Sequence, residues 1–376
     1  MSKRDPVFSR RDFLRVLSIA TAGLALGPNY IADLLAQNSG RKLGIAMLGL
    51  GNYATNQLAT ALLETKLCQL TAVVTGHAEK GEKWANQYNL KKENIYSYEN
   101  FDRIANNRDV DIVYVVTPPA LHPEFTIRAA KTGKHVISEK PMATSVADCD
   151  RMIDACKKAK VQLGIGYRMH YDLFRKELMR IVQSQEFGPF MKMSGNFSFV
   201  MNQHQWRIEK KLAGGGAMMD LGIYIVQAAM QAANANPVSV TAHEEPKQRP
   251  DFFNETEETL KFTLNFANGA TCEGTTSFNG QGNNFRAEGS KGWFEMTRGA
   301  FSYNGGVGQT SNGPLNFPWI NQQAAQMDDF AECVLTGRKT PVSGFMGRVH
   351  ISIIEAIYEA ARTGREVKLR WAISTR

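Results

Sequence analysis

A chain of 376 residues, 43% hydrophobic with ordinary glycine and proline content, can bury a large core, suggests two domains, and is neither disordered nor fibrous. Of the net charge of +8, the extreme N-terminus carries +3 through Lys3, Arg4, Arg10, Arg11 and Arg15 against Asp5 and Asp12. The rest is spread thinly, with no basic stripe interleaved with aromatics, which argues against nucleic acid as a partner. Five cysteines with no close CxxC pair argue against both a disulfide framework and a metal site, and no apolar run reaches the roughly 18 residues of a stable membrane span.

The first 36 residues read as an address. Ser9-Arg10-Arg11-Asp12-Phe13-Leu14-Arg15 runs into the short apolar stretch 16–26, the layout of a charged region and a hydrophobic region too short to cross a bilayer. The paired arginines followed by Phe-Leu resemble the twin-arginine signal that exports folded proteins, so a periplasmic or exported location is expected. Around Leu34-Leu35-Ala36 there is no strict small-x-small cleavage pattern, which leaves retention of the leader open.

From residue 42 to 165, apolar runs at 43–48, 70–74, 111–116, 135–137 and 162–165 alternate with helix-like stretches such as 56–64 and 125–132. This is the βαβ rhythm of an α/β fold, predicting a Rossmann domain with a doubly wound parallel sheet. From 166 to 371 the pattern changes to alternating strands, at 261–266 and 271–278 among others, and closes with an amphipathic helix over 347–363. That predicts a C-terminal α+β domain with a mainly antiparallel, open sheet covered on one face.

After the first strand stands Gly49-Leu50-Gly51-Asn52-Tyr53-Ala54. The first glycine permits a tight turn, the second lets phosphates approach the backbone at a helix N-terminus, and Ala54 takes the third, small-residue position. Enzymes that hold NAD commonly place a carboxylate at the tip of the second strand, about 20 residues further on, for the ribose 2′-hydroxyl. Here the tip reads Thr75-Gly76-His77-Ala78-Glu79-Lys80, with Glu79 too late and hydroxyl, imidazole and ammonium groups suited to a 2′-phosphate. NADP is the expected cofactor, with NAD as the alternative.

Three further motifs carry chemistry. Glu139-Lys140-Pro141 follows the fourth strand, at the carboxyl edge where ligands bind such sheets. Gly166-Tyr167-Arg168-Met169-His170-Tyr171 follows the fifth. In Gly214-Gly215-Gly216-Ala217-Met218-Met219-Asp220-Leu221-Gly222-Ile223-Tyr224, a helix would put Asp220 and Tyr224 on one face.

The glycine turn, Thr117-Pro118-Pro119-Ala120-Leu121-His122, Glu139-Lys140-Pro141 and the Asp220 segment, in that order, resemble the Gfo/Idh/MocA oxidoreductases over residues 42 to 371. The strings Gln205-Trp206-Arg207 and Lys211-Leu212-Ala213-Gly214-Gly215-Gly216 look most like its periplasmic glucose-fructose oxidoreductase subgroup. The resemblance implies Lys140, Asp220 and Tyr224 at the reacting carbon, with Thr117, Pro118, His122, Glu139, Arg168, Trp206 and Arg207 beside the cofactor. It also implies a sugar held by Lys140, Arg168, Tyr171, Asp220 and Tyr224, and a homo-oligomer. Tyr224 stands where many relatives carry histidine, which points to the sugar-interconverting subgroup, and an ammonium beside a phenol favours its use as a base. The expected reaction is oxidation of an aldose to a lactone, coupled to reduction of a second sugar on the same cofactor. Two other readings stand beside it: an NAD-dependent glycosidase of the same fold, and a non-catalytic sugar-binding protein. Pro119 and Leu173-Phe174-Arg175 depart from the family pattern, which leaves room for different substrate contacts. The short segment before the first strand leaves little chain for an arm around a neighbouring subunit.

Overall fold

In the computed structural model, which describes residues 41–371, the chain builds two sheets; the expectations for residues 1–36 lie outside the described residues. The first sheet contains β1 (Leu43–Leu48), β2 (Cys68–Val74), β3 (Ile95–Tyr96), β4 (Ile112–Val115), β5 (His135–Glu139) and β6 (Leu163–Gly166), all parallel, in the order β3-β2-β1-β4-β5-β6. Every residue of β1 and β4 is buried, which is why these strands are continuous apolar runs rather than alternating ones. The strand order reverses between β1 and β4, and the crevice beyond their carboxyl ends is where ligands bind such sheets. The five expected strands lie within two residues of their expected bounds, whereas the two-residue β3 is too short to leave a periodic signal.

The second sheet contains β7 (Phe190–Ser198), β8 (Pro237–Glu244), β9 (Thr259–Phe266), β10 (Thr271–Ser277), β11 (Gly282–Gly289), β12 (Gly292–Arg298), β13 (Val307–Thr310), β14 (Gly313–Leu315) and β15 (Val367–Lys368). Its order is β14-β13-β12-β11-β7-β10-β9-β8-β15, antiparallel except where β10 runs parallel to β7. Helices Ile223–Ala233 and Gly344–Thr363 pack on it, and the alternating burial along β9 records one covered face.

Two features add to the sequence reading. A helical stretch long and apolar enough to cross a bilayer does exist, Lys210–Ala233, but 83% of its apolar window is buried inside the protein. Its apolar part, Ile223–Ala233, is a core helix packed against β7 and helix Leu173–Ser184. The boundary near residue 165 is also not a single cut. Helix Gln322–Thr336 returns to the first sheet, where Ala324, Met327, Phe330 and Ala331 share a core with Ile45, Met47, Val73 and Tyr114. Asp328 on that helix accepts the backbone N–H groups of Lys66 (2.9 Å) and Leu67 (2.8 Å). The five cysteines are all buried and unpaired.

Candidate active site

A cleft of about 870 Å³ runs from the glycine turn across the carboxyl edge of the first sheet to the second domain. Gly49 sits at φ +97°, and a Cβ there would lie 2.8 Å from the Val116 carbonyl oxygen, so the turn requires glycine. A Cβ on Gly51 would meet nothing within 4 Å, which leaves the backbone bare towards the cleft. The helix then starts at Asn52, passes through a π-turn at Ala54–Leu58 and continues as Ala59–Glu64, with its N-terminal end at the cleft as an anion site. Asn52, Tyr53, Thr75, His77, Lys80, Thr117 and Pro118 line the same space. Glu79 lies on helix Ala78–Tyr88 with its carboxylate 3.8 Å from His77 Nδ1, and it does not line the cleft. The buried Thr117 hydroxyl finds no partner in the protein. A tight glycine turn, a bare helix N-terminus and an orphaned hydroxyl fit the phosphates and ribose of a dinucleotide.

At the far end Lys140 emerges immediately after β5 and donates from Nζ to Asp220 Oδ1 (3.0 Å) and to the Asp220 carbonyl (2.8 Å). Arg207 Nε donates to Asp220 Oδ2 at 3.1 Å, so the carboxylate is held between two cations. Burial alone would raise the Asp220 carboxyl, but Lys140 and Arg207 outweigh it and bring it to about 2. Burial alone would lower the Lys140 ammonium, yet Asp220 and the tyrosines around it hold it above the ordinary lysine range. Lys140 is therefore a fixed cation at neutral pH. It lies 4.7 Å from the centre of the Tyr224 ring, and the Arg168 guanidinium lies 5.2 Å from the same centre.

Asp220 falls in a π-turn, Met218–Gly222, that leads into helix Ile223–Ala233, where a regular α-helix was expected. Asp220 and Tyr224 still both line the cleft. The triple glycine before them is explained by packing: a Cβ on Gly215 would lie 1.9 Å from the Tyr358 hydroxyl, and one on Gly216 would lie 2.2 Å from the Glu257 carbonyl. With that space free, the buried Glu257 carboxylate caps the segment by accepting from Gly216 N and Met218 N, each at 2.9 Å, and from the Tyr358 hydroxyl.

Glu139 also lines the cleft. Its Oε1 accepts from the Tyr114 hydroxyl at 2.7 Å, and Gln326 Nε2 donates to that hydroxyl at 2.8 Å. Burial pushes the Glu139 carboxyl up to about 7, against the opposing pull of Tyr114 and Lys140. Its carboxylate fills the room beside Gly166, where a Cβ would come within 2.5 Å of Oε1.

Three expected site residues, Tyr171, His122 and Gly76, do not line the cleft. Tyr171 points away from the cleft and donates to Asp329 Oδ2 at 2.7 Å, because the turn at Arg168–His170 carries it towards helix Gln322–Thr336. His122 is buried between the carbonyls of Thr117 (2.7 Å) and Pro141 (3.0 Å), and burial brings its imidazole down to about 4. A neutral imidazole carries one N–H, so it donates to only one of these carbonyls at a time. Gly76 is exposed beside the Tyr98 ring, which a Cβ there would meet at 3.1 Å. Sequence reasoning in turn missed an aromatic wall from the second domain: Phe197 on β7, and Phe301 and Tyr303 between β12 and β13. Only the run Phe301-Ser302-Tyr303-Asn304-Gly305-Gly306, aromatic and glycine-rich between strands, could have signalled it.

Parallel sheet, glycine turn and a cation–carboxylate–phenol end define a two-domain, nicotinamide-dependent oxidoreductase. A model of the oxidoreductase family with an NAD-binding Rossmann fold matches residues 43–167, and one of the GFO/IDH/MocA C-terminal domain matches residues 176–295. The chain belongs to the Gfo/Idh/MocA oxidoreductase family. It is similar to a crystal structure of aldose-aldose oxidoreductase from Caulobacter crescentus complexed with glycerol, at 43% identity and TM-score 0.85, covering 88% of this chain and 100% of that one. It is 29% identical over 334 residues to the NADP D-xylose 1-dehydrogenase of Haloarcula marismortui, covering 86% of this chain and 92% of the relative. A levoglucosan dehydrogenase in complex with NADH and levoglucosan, at 18% identity, 87% of this chain and 98% of the other, shares the fold with TM-score 0.76.

Proposed function

We propose that this chain is an NADP-dependent sugar oxidoreductase that oxidises an aldose at its anomeric carbon to a lactone and returns its cofactor to the oxidised form by reducing a second sugar or carbonyl compound. The observation that carries this reading is the convergence of Lys140, Asp220 and Tyr224 at the end of the dinucleotide cleft, against an aromatic wall suited to the apolar faces of a sugar. The 43% identity to an aldose-aldose oxidoreductase supports the same substrate class. When bound beside Lys140 and Tyr224, a nicotinamide would supply the hydride acceptor for the anomeric carbon. Tyr224 takes the proton of the anomeric hydroxyl, Lys140 holds that oxygen, and Asp220 keeps Lys140 charged and in place. The test is a set of initial rates with both sugars varied and no nucleotide added. Parallel double-reciprocal lines are expected. No rate until NADP is added would leave an ordinary dehydrogenase and remove the coupled cycle.

The preference for NADP rests on the tip of β2, where His77 and Lys80 line the cleft and no carboxylate does. Lys80→Ala should weaken NADP binding about tenfold, the loss of one phosphate contact, and leave NAD binding within about twofold. Calorimetric titration of both nucleotides decides this, and equal losses would show that Lys80 does not read the 2′-phosphate.

Export by the folded route remains part of the proposal, on the strength of Arg10-Arg11. Replacing both by lysine should hold the protein in the cytoplasm, as seen by cell fractionation. Unchanged periplasmic recovery would remove it.

A further inference from the structure

Arg168 is a buried cation, 1% exposed, and among the described residues no carboxylate pairs with it. Burying an unpaired charge is costly unless neutral acceptors and π-faces replace its water. Arg168 finds both. Its guanidinium donates to two consecutive backbone carbonyls, Phe301 and Ser302, the latter at 3.0 Å, and to the Gln322 side chain. Its flat face lies 4.1 Å from the centre of the Tyr303 ring. Such a fork over neighbouring carbonyls is within reach of arginine and not of lysine.

These acceptors belong to a short strap, residues 299–306, between β12 and β13. Its first and its last-but-one residues are glycines in the left-handed region, Gly299 at φ +71° and Gly305 at φ +78°. A Cβ on Gly306 would lie 2.7 Å from the Arg298 carbonyl, so the neck is closed tightly. Away from the neck the strap reaches the other domain: the Tyr303 ring meets the ring of Tyr53, in the glycine turn, with centres 5.9 Å apart. Trp319 Nε1 donates to the Tyr303 carbonyl at 3.1 Å from the outer side.

We propose that the strap is a clasp over the dinucleotide cleft, with Tyr303 against Tyr53 as its latch and Arg168 as the positioning residue that anchors it. Bound nucleotide then leaves only when Tyr303 parts from Tyr53, and the clasp sets its residence time. The inference rests on dinucleotide binding and not on the identity of the sugar.

The experiment follows NADPH fluorescence by stopped flow, in the full chain without sugar, after mixing the complex with excess NADP. Tyr303→Ala should raise the dissociation rate constant by about tenfold or more, the scale of losing an aromatic and a cation–π contact. Tyr303→Phe should release slowly, as the parent does, and Arg168→Lys should release fast. If Arg168→Lys does not fold, the two Tyr303 variants decide the matter alone. Release from Tyr303→Ala within about twofold of the parent overturns the clasp, as does equally fast release from Tyr303→Phe and Tyr303→Ala.

Discussion

Tyr224→Phe is expected to lower turnover by roughly 10²- to 10⁴-fold, the range for losing a general acid or base, with little change in melting temperature or nucleotide affinity. The selectivity follows from the surroundings of the ring. Tyr224 is 6% exposed, packs edge-on against Phe197 with centres 5.5 Å apart, and lies beside Lys140 and Arg168. Phenylalanine keeps every one of those ring contacts and deletes the hydroxyl alone. Saturating-sugar turnover and a thermal melt of the same preparation separate the two effects. Turnover within about fivefold of the parent would remove Tyr224 as the acid/base and leave the family membership untouched.

Asp220→Ala should cost about 3 kcal/mol of stability or more, because it strands two partly buried cations, Lys140 and Arg207, that share one carboxylate. The pH dependence identifies the cause. A carboxyl held down at about 2 contributes stability that is fully present above its unfolded value and is lost as the pH falls through the folded one. The gap between parent and variant, measured by urea unfolding, should therefore be constant near neutrality and narrow as the pH drops from about 5 towards 3. A gap that does not change over that range would mean that packing, and not charge, carries the loss. Sugar oxidation should be lost as well, since Lys140 would no longer be pinned beside Tyr224.

The Rossmann half was legible because its signals are local. A buried parallel strand is a continuous apolar run, and a turn that only glycine can enter announces itself, as at Gly49. The same holds for Lys140, one residue beyond β5, and for the tip of β2, where the lack of a carboxylate can be read without coordinates. Tyr171 was misplaced for the opposite reason. It directly follows a turn whose direction depends on helix Gln322–Thr336, about 150 positions later, which no local pattern encodes.

By itself the sequence determined the order of elements, the dinucleotide turn and the residue types at the far end of the cleft, since each depends on backbone geometry or side-chain chemistry within a few positions. Tertiary structure alone decided which charges meet. It set Asp220 between Lys140 and Arg207, buried Glu139 against Tyr114 until its carboxyl rose to about 7, and brought Phe301 and Tyr303 across to the first domain. Proton affinities and aromatic walls arise from burial and from distances of a few ångströms between segments far apart in the chain, and those distances exist only once both sheets have packed.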